Sequence, residues 1–158
     1  MRLPTMYLET TIFNFPFVND APNFRADTLK LFEEIKAGKF RPFTSGYVIQ
    51  ELESATDARR EERIQLIKEY RIEVIPISAE AERLANLYIK EGVVSAKYGT
   101  DATHIAVATI AGLDFIVSLN FKHIVKRKTK VGTGFINVRE GYRQIDIHTP
   151  AEVIDENT

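Results

Sequence analysis

The sequence predicts an α/β sandwich around a mostly parallel sheet. Helical and strand signals alternate along the chain, the pattern that builds strand–helix–strand units. The segment at 115–118, Phe115-Ile116-Val117-Ser118, reads as a buried strand. The 158 residues, 44% hydrophobic and 27% charged, suffice for one domain with a single sizeable core, taken as residues 1–158.

The elements follow in order. Residues 6–9 form a first short strand, and Phe13, Phe15 and Phe17 enrich the helical turn after it. Asp20 or Asn23 can cap a helix in which Phe24, Thr28, Leu31, Phe32 and Ile35 recur at helical spacing, and Gly38 stops it. Residues 41–44 read as a second strand, and Ser45 is a natural N-cap for the helix that carries Glu51. A charged helix over 57–70 comes next, then a strand at 73–75 closed by Pro76. Ser78 caps a helix whose buried stripe is Ala81, Leu84, Ala85 and Tyr88. Residues 92–99 connect it to an alanine-rich helix over 100–111, apolar on nearly every side and therefore central. The strand at 115–118 follows, then a basic segment read as a solvated loop or a phosphate-facing one, and a last strand at 145–147.

Composition narrows the chemistry. There is no cysteine, which excludes a disulfide framework and a thiolate zinc site. His104, His123 and His148 are widely separated and form no HxxxH pair. A catalytic metal would be bound mainly by oxygen, which favours Mg²⁺ or Mn²⁺. Glu9 interrupts the first apolar run before a signal peptide could form. The most apolar stretch, 102–119, contains His104, Gly112 and Asp114 and does not read as a membrane span. A cytoplasmic protein with no membrane partner is expected. Net charge is −1, yet Lys122, Lys126, Arg127, Lys128, Lys130, Arg139 and Arg143 face Glu140 alone among the acids of their stretch. Such a local basic face can hold phosphates.

Four oxygen-bearing side chains stand out: Glu9, Glu51, Asp101 and Asn120. Each lies in an apolar stretch, where an isolated carboxylate is costly to bury. Glu51 falls at the edge of the apolar stripe of Val48, Ile49, Leu52 and Ala55. Asp101 sits in the first turn of its helix, a place the macrodipole alone can explain. Glu9 ends a strand, where α/β proteins place ligands, or it caps the turn at Thr10 and Thr11. Asn120 follows a buried strand and can equally form an Asx-turn. Three carboxylates and an amide meeting at one sheet edge suggest a shared cation and a metal-dependent hydrolase.

The pattern resembles the PIN-domain nucleases, in particular the VapC-like toxins of type II toxin–antitoxin systems. The resemblance rests on Tyr7-Leu8-Glu9-Thr10-Thr11 as the strand ending in an acid, on Glu51 after the second strand, and on residues 101–106, where Asp101 opens a helix. It spans Met6 to about His123. Two positions depart: Glu9 stands where the family has aspartate, and Asn120 where it has a fourth acid.

The resemblance implies a PIN-like three-layer α/β/α sandwich and a ribonuclease that hydrolyses RNA phosphodiesters by metal-activated water. It implies Glu9, Glu51 and Asp101 as ligands of Mg²⁺ or Mn²⁺, Thr11 as an orienter of a ligand or water, and Asn120 as a neutral ligand or orienter. Lys122, Lys126, Arg127, Lys128 and Lys130 would face the RNA backbone. RNA is the implied substrate, and an antitoxin protein and a homodimer are the partners the family allows. His104 reads as a core histidine satisfied by a hydrogen bond. A second reading keeps the fold and discards the chemistry, leaving an inactive PIN-like module that binds RNA or protein. A receiver-type phosphotransfer domain would need an aspartate ending a middle strand, which Ile75-Pro76-Ile77 does not supply.

Overall fold

Five parallel strands, in the order β3-β2-β1-β4-β5, form the central layer. The computed structural model describes residues 2–154. The strands are β1 (Thr5–Leu8), β2 (Arg41–Ser45), β3 (Glu73–Ile75), β4 (Phe115–Val117) and β5 (Asp146–His148). Parallel strands need crossovers, and the helices supply them: α1 (Thr10–Asn14), α2 (Pro22–Lys36), α3 (Gly46–Ser54), α4 (Arg60–Glu69), α5 (Ala79–Lys90), α6 (Gly99–Ile110) and α7 (Arg127–Arg139), with α8 (Pro150–Val153) following the last strand. Two 3₁₀ turns, Phe15–Phe17 and Ala96–Tyr98, join them.

Strand order reverses at β1. The chain moves outward through β2 and β3, then returns to add β4 and β5 on the other side of β1. Right-handed crossovers therefore place the early helices on one face and α5 to α7 on the other. The packing agrees: α2 lies on α8, whereas α5 lies on α6 and α7. With both faces covered, all four residues of β1 are buried, as expected of an interior parallel strand. Met6, Tyr7, Leu8, Ile105, Ile116 and Val117 form the heart of the core.

Local chemistry sets most of the ends. Ser45 caps α3 by accepting from the Val48 N–H, and Ser78 caps α5 through Ala81. Gly38, at φ +81°, ends α2 in a conformation that a side chain would strain. The cap of α2 is neither Asp20 nor Asn23. Ala21 occupies it with Pro22 at the first helical position, where a missing N–H costs nothing. The charged helix α4 begins at Arg60 rather than at residue 57. Phe24 is exposed rather than core and packs edge-on to Phe15.

The largest departure is α7. The segment read as a basic loop becomes a helix from Arg127 onward, and its amphipathicity is inverted. Thr129, Thr133, Gly134, Ile136 and Asn137 face inward, while Val131, Phe135 and Val138 are 56%, 66% and 59% exposed. The buried polar groups are satisfied locally: Thr133 donates to the Thr129 carbonyl, and Asn137 joins Tyr88 and Thr109. Basic residues at its N-terminus also oppose the helix dipole. Val131, Phe135 and Val138 keep the i, i+4, i+7 spacing of a helix, but here that spacing marks the face turned to solvent.

Candidate active site at the carboxyl edge of the sheet

The register of the central strands builds the site. Leu8 pairs with Val117, so Glu9 and Ser118 leave the sheet side by side. Ser45 ends β2 on the same edge and α3 rises from it. This is the carboxyl edge at the strand-order reversal, where open parallel sheets bind ligands.

Glu9 is 3% exposed. Its Oε1 accepts from Thr11 Oγ1 at 2.6 Å and from Ser118 Oγ at 2.6 Å. Burial pushes its pKa up, and the nearby His104 with these two donors offsets part of that rise. Thr11 Oγ1 also accepts the Leu119 N–H at 2.8 Å, so one hydroxyl ties the end of β1 to the end of β4.

Glu51 projects from α3 toward the same edge. Its Oε1 accepts from Thr10 Oγ1 at 2.9 Å and from His104 Nε2 at 2.5 Å. Burial favours the neutral acid, but the histidine and the threonine outweigh it, and the pKa falls below the ordinary glutamate value. Asp101 lies in the first turn of α6, and its Oδ1 accepts from Asn120 Nδ2 at 3.1 Å. Burial raises its pKa, the charge on Glu51 adds to the rise, and His104, His123 and Asn120 work against it.

Asn120 therefore orients Asp101. Its own Oδ1 accepts the His123 backbone N–H, three residues on, at 3.0 Å. The His123 ring stacks on Tyr98 at 3.6 Å between centroids. Lys122, Lys126, Arg127, Lys128 and Lys130 are all exposed, the last three on the first turns of α7. A groove of about 530 Å³ opens beside Glu51 between α3, α5 and the start of α6, lined in part by Gln50, Asn86 and Thr103.

His104 is more than a satisfied core residue. It is fully buried and touches Tyr7, Thr10 and Glu51. Burial pulls its pKa down, yet the Glu51 hydrogen bond and the charges of Glu9, Glu51 and Asp101 prevail and raise it. Tyr7, Thr10 and Ser118 were not singled out from sequence as site residues, and Ser45 only as a helix cap. One signal was available: a tyrosine in an all-buried strand needs a partner for its hydroxyl.

A divalent ion can be tested against these donors. Three carboxylates and an amide on one sheet edge are hard oxygen donors, the set suited to Mg²⁺ or Mn²⁺. Among the described residues, however, no three acids or histidines stand grouped as a ready-made metal cage. Each carboxylate turns one oxygen to a neighbour, while the second oxygens of Glu51 and Asp101 lie outside these bonds. The donor chemistry fits an ion that draws those oxygens together.

A model of the PIN domain family matches residues 6–127. No curated protein matches. Among solved structures, the chain is similar to one in the crystal structure of VapBC2 from Rickettsia felis bound to a DNA fragment from their promoter. That pair is 16% identical with a TM-score of 0.55, covering 92% of this chain and 98% of the other. At that identity the likeness speaks for the fold alone. No helix among the described residues is long and apolar enough to cross a membrane.

Proposed function

The chain belongs to the PIN-domain family, and from that premise we propose that it is a Mg²⁺- or Mn²⁺-dependent endoribonuclease, a VapC-like toxin acting in the cytoplasm. One observation carries the proposal: Glu9, Glu51 and Asp101 come from three separate elements to the carboxyl edge at the strand-order reversal. Glu9, Glu51 and Asp101 would hold the ion. Bound there, such an ion would supply a water of lowered pKa and positive charge to offset that developing on the phosphoryl oxygens.

The protein's own groups do the rest. Thr11 and Ser118 hold the buried Glu9 carboxylate, Thr10 and His104 hold Glu51, and Asn120 holds Asp101. Lys122, Lys126, Arg127, Lys128 and Lys130 grip the phosphates that flank the scissile bond. The family also supplies the partner chemistry: an antitoxin that silences the nuclease, and a second copy of the chain.

The test is cleavage of structured and unstructured RNAs in Mg²⁺, Mn²⁺ or EDTA. Asp101→Asn keeps the side-chain shape, removes one charge, and should abolish cleavage while RNA binding stays intact. Reversing Lys126 and Arg127 to glutamate should weaken binding and flatten its salt dependence. A second reading, a PIN-like module that binds RNA or protein without cutting, is favoured by the carboxylates already having protein partners. Wild type that binds RNA but never cuts it in Mn²⁺, with Asp101→Asn indistinguishable, would select that reading.

A further inference from the structure

We propose that Tyr7 and His104 are positioning residues that fix the Glu51 carboxylate in register with Glu9 and Asp101; this rests on the hydrolytic reading above. The contacts form one line. Ser45 Oγ lies 2.7 Å from Tyr7 Oη, Tyr7 Oη lies 2.7 Å from His104 Nδ1, and His104 Nε2 lies 2.5 Å from Glu51 Oε1. An ionised carboxylate only accepts, so Nε2 carries the proton that faces it. A neutral imidazole accepts the Tyr7 hydroxyl at Nδ1, and an imidazolium, which the surrounding carboxylates favour, donates there instead; the contact stands in either form, and so does the Nε2 proton facing Glu51. The Ser45 oxygen also receives the Val48 N–H at 3.4 Å, so the line is anchored at the start of α3.

The line begins and ends on the same helix. Ser45 caps α3 and Glu51 lies near its far end, while Tyr7 stands on β1 and His104 on α6. Three elements thus lock one carboxylate that is itself partly open to solvent. A glutamate on a short helix has three side-chain torsions to fix, and packing alone fixes few of them when one face is wet. Polar partners around a metal-binding carboxylate usually carry about 10–100-fold in metal affinity or activity. The two rings fill the core between β1 and α6 and are fully buried, so the hydrogen bonds can be removed while the volume is kept.

The full chain and three variants decide the matter. Tyr7→Phe deletes the hydroxyl alone, His104→Leu removes the donor, and His104→Gln places an amide N–H where Nε2 stood. Mn²⁺ affinity by electron paramagnetic resonance and kcat and KM on RNA are measured beside imidazole ¹⁵N spectra. His104→Leu should lose about 10–100-fold in Mn²⁺ affinity and in kcat with little change in KM, and Gln should restore most of it. Tyr7→Phe should fall between them, with a wild-type near-ultraviolet circular dichroism spectrum confirming its fold. Cleavage by wild type that His104→Leu leaves unchanged, or a His104 Nε2 without its proton, overturns the positioning role. A protonated Nε2 in a wild-type chain that neither binds Mn²⁺ nor cuts RNA overturns the hydrolytic reading instead, and the relay then has no reaction to serve.

Discussion

A carboxylate is worth most to a fold where its partners are fixed, and Asp114 shows this away from the site. Its oxygens accept from Arg2 at 3.1 Å, from the Thr5 N–H at 2.8 Å and hydroxyl at 3.1 Å, and from Arg143 at 3.2 Å. The Arg2 hydrogen bond, then the Thr5 backbone, hold its carboxyl far below the ordinary aspartate range. A depressed folded-state value means the unfolded chain takes up the proton first. The stabilisation is therefore complete above the unfolded pKa of about 3.9 and drains away as pH falls below it. We expect Asp114→Asn to flatten the acid limb of a stability–pH curve, with an effect that shrinks below the unfolded pKa and vanishes only once pH has fallen through the much lower folded value. Equal destabilisation by Asp114→Asn at pH 7 and pH 2 would contradict this assignment. At this scale the sequence was only partly legible. Glu9, Glu51, Asp101 and Asn120 stood out because charge in an apolar stretch is costly. Tyr7, Thr10 and Ser118 did not, because a hydroxyl in such a stretch is unremarkable until its partner from another element is known.

Elements whose apolar residues face the core could be placed from spacing, and those whose pattern is broken could not. In α5, Ala81, Leu84, Ala85 and Tyr88 are the buried stripe that periodicity names. In α7 the buried positions are threonine, glycine and asparagine apart from Ile136, so the same rule points outward. Close approach explains another glycine of this helix. A Cβ on Gly132 would meet Val93 Cγ2 at 2.7 Å and Cγ1 at 2.8 Å. Glycine in a helix costs about 1 kcal/mol relative to alanine, yet overpacking against a stiff β-branched neighbour typically costs about 1–3 kcal/mol. Gly132→Ala should therefore lower stability despite the better helix former. Adding Val93→Ala should recover it by more than the two single effects predict, and urea unfolding of the four-member cycle reads that coupling. Strict additivity would mean that α7 does not depend on this contact.

For the whole molecule, topology explains why distant residues could be joined in thought before the fold was seen. Parallel strands all end on one edge, so an acid after β1, a helix rising from β2 and the turn after β4 converge whatever lies between them. What topology could not supply was the state of the cluster: three carboxylates, a fully buried histidine among them, and each acid turned to a partner. Like charges gathered this way repel, and a cation that binds the native cluster and not the unfolded chain relieves that repulsion by mass action. At about 100 times its dissociation constant, Mn²⁺ should add roughly 2.7 kcal/mol to stability. For a chain of this length that corresponds to a melting shift of about 5–11 °C. Asp101→Asn removes one charge of the three, so the variant should start from a less repulsive cluster and respond less to the ion. Ca²⁺ can occupy oxygen sites too, and comparing it with Mn²⁺ separates site-selective binding from general charge screening. A melting curve indifferent to millimolar Mn²⁺, in wild type and Asp101→Asn alike, would mean that His104 and the hydroxyls already neutralise the cluster without a metal. In that case the carboxyl edge is a polar core, and the PIN-like module binds without cutting.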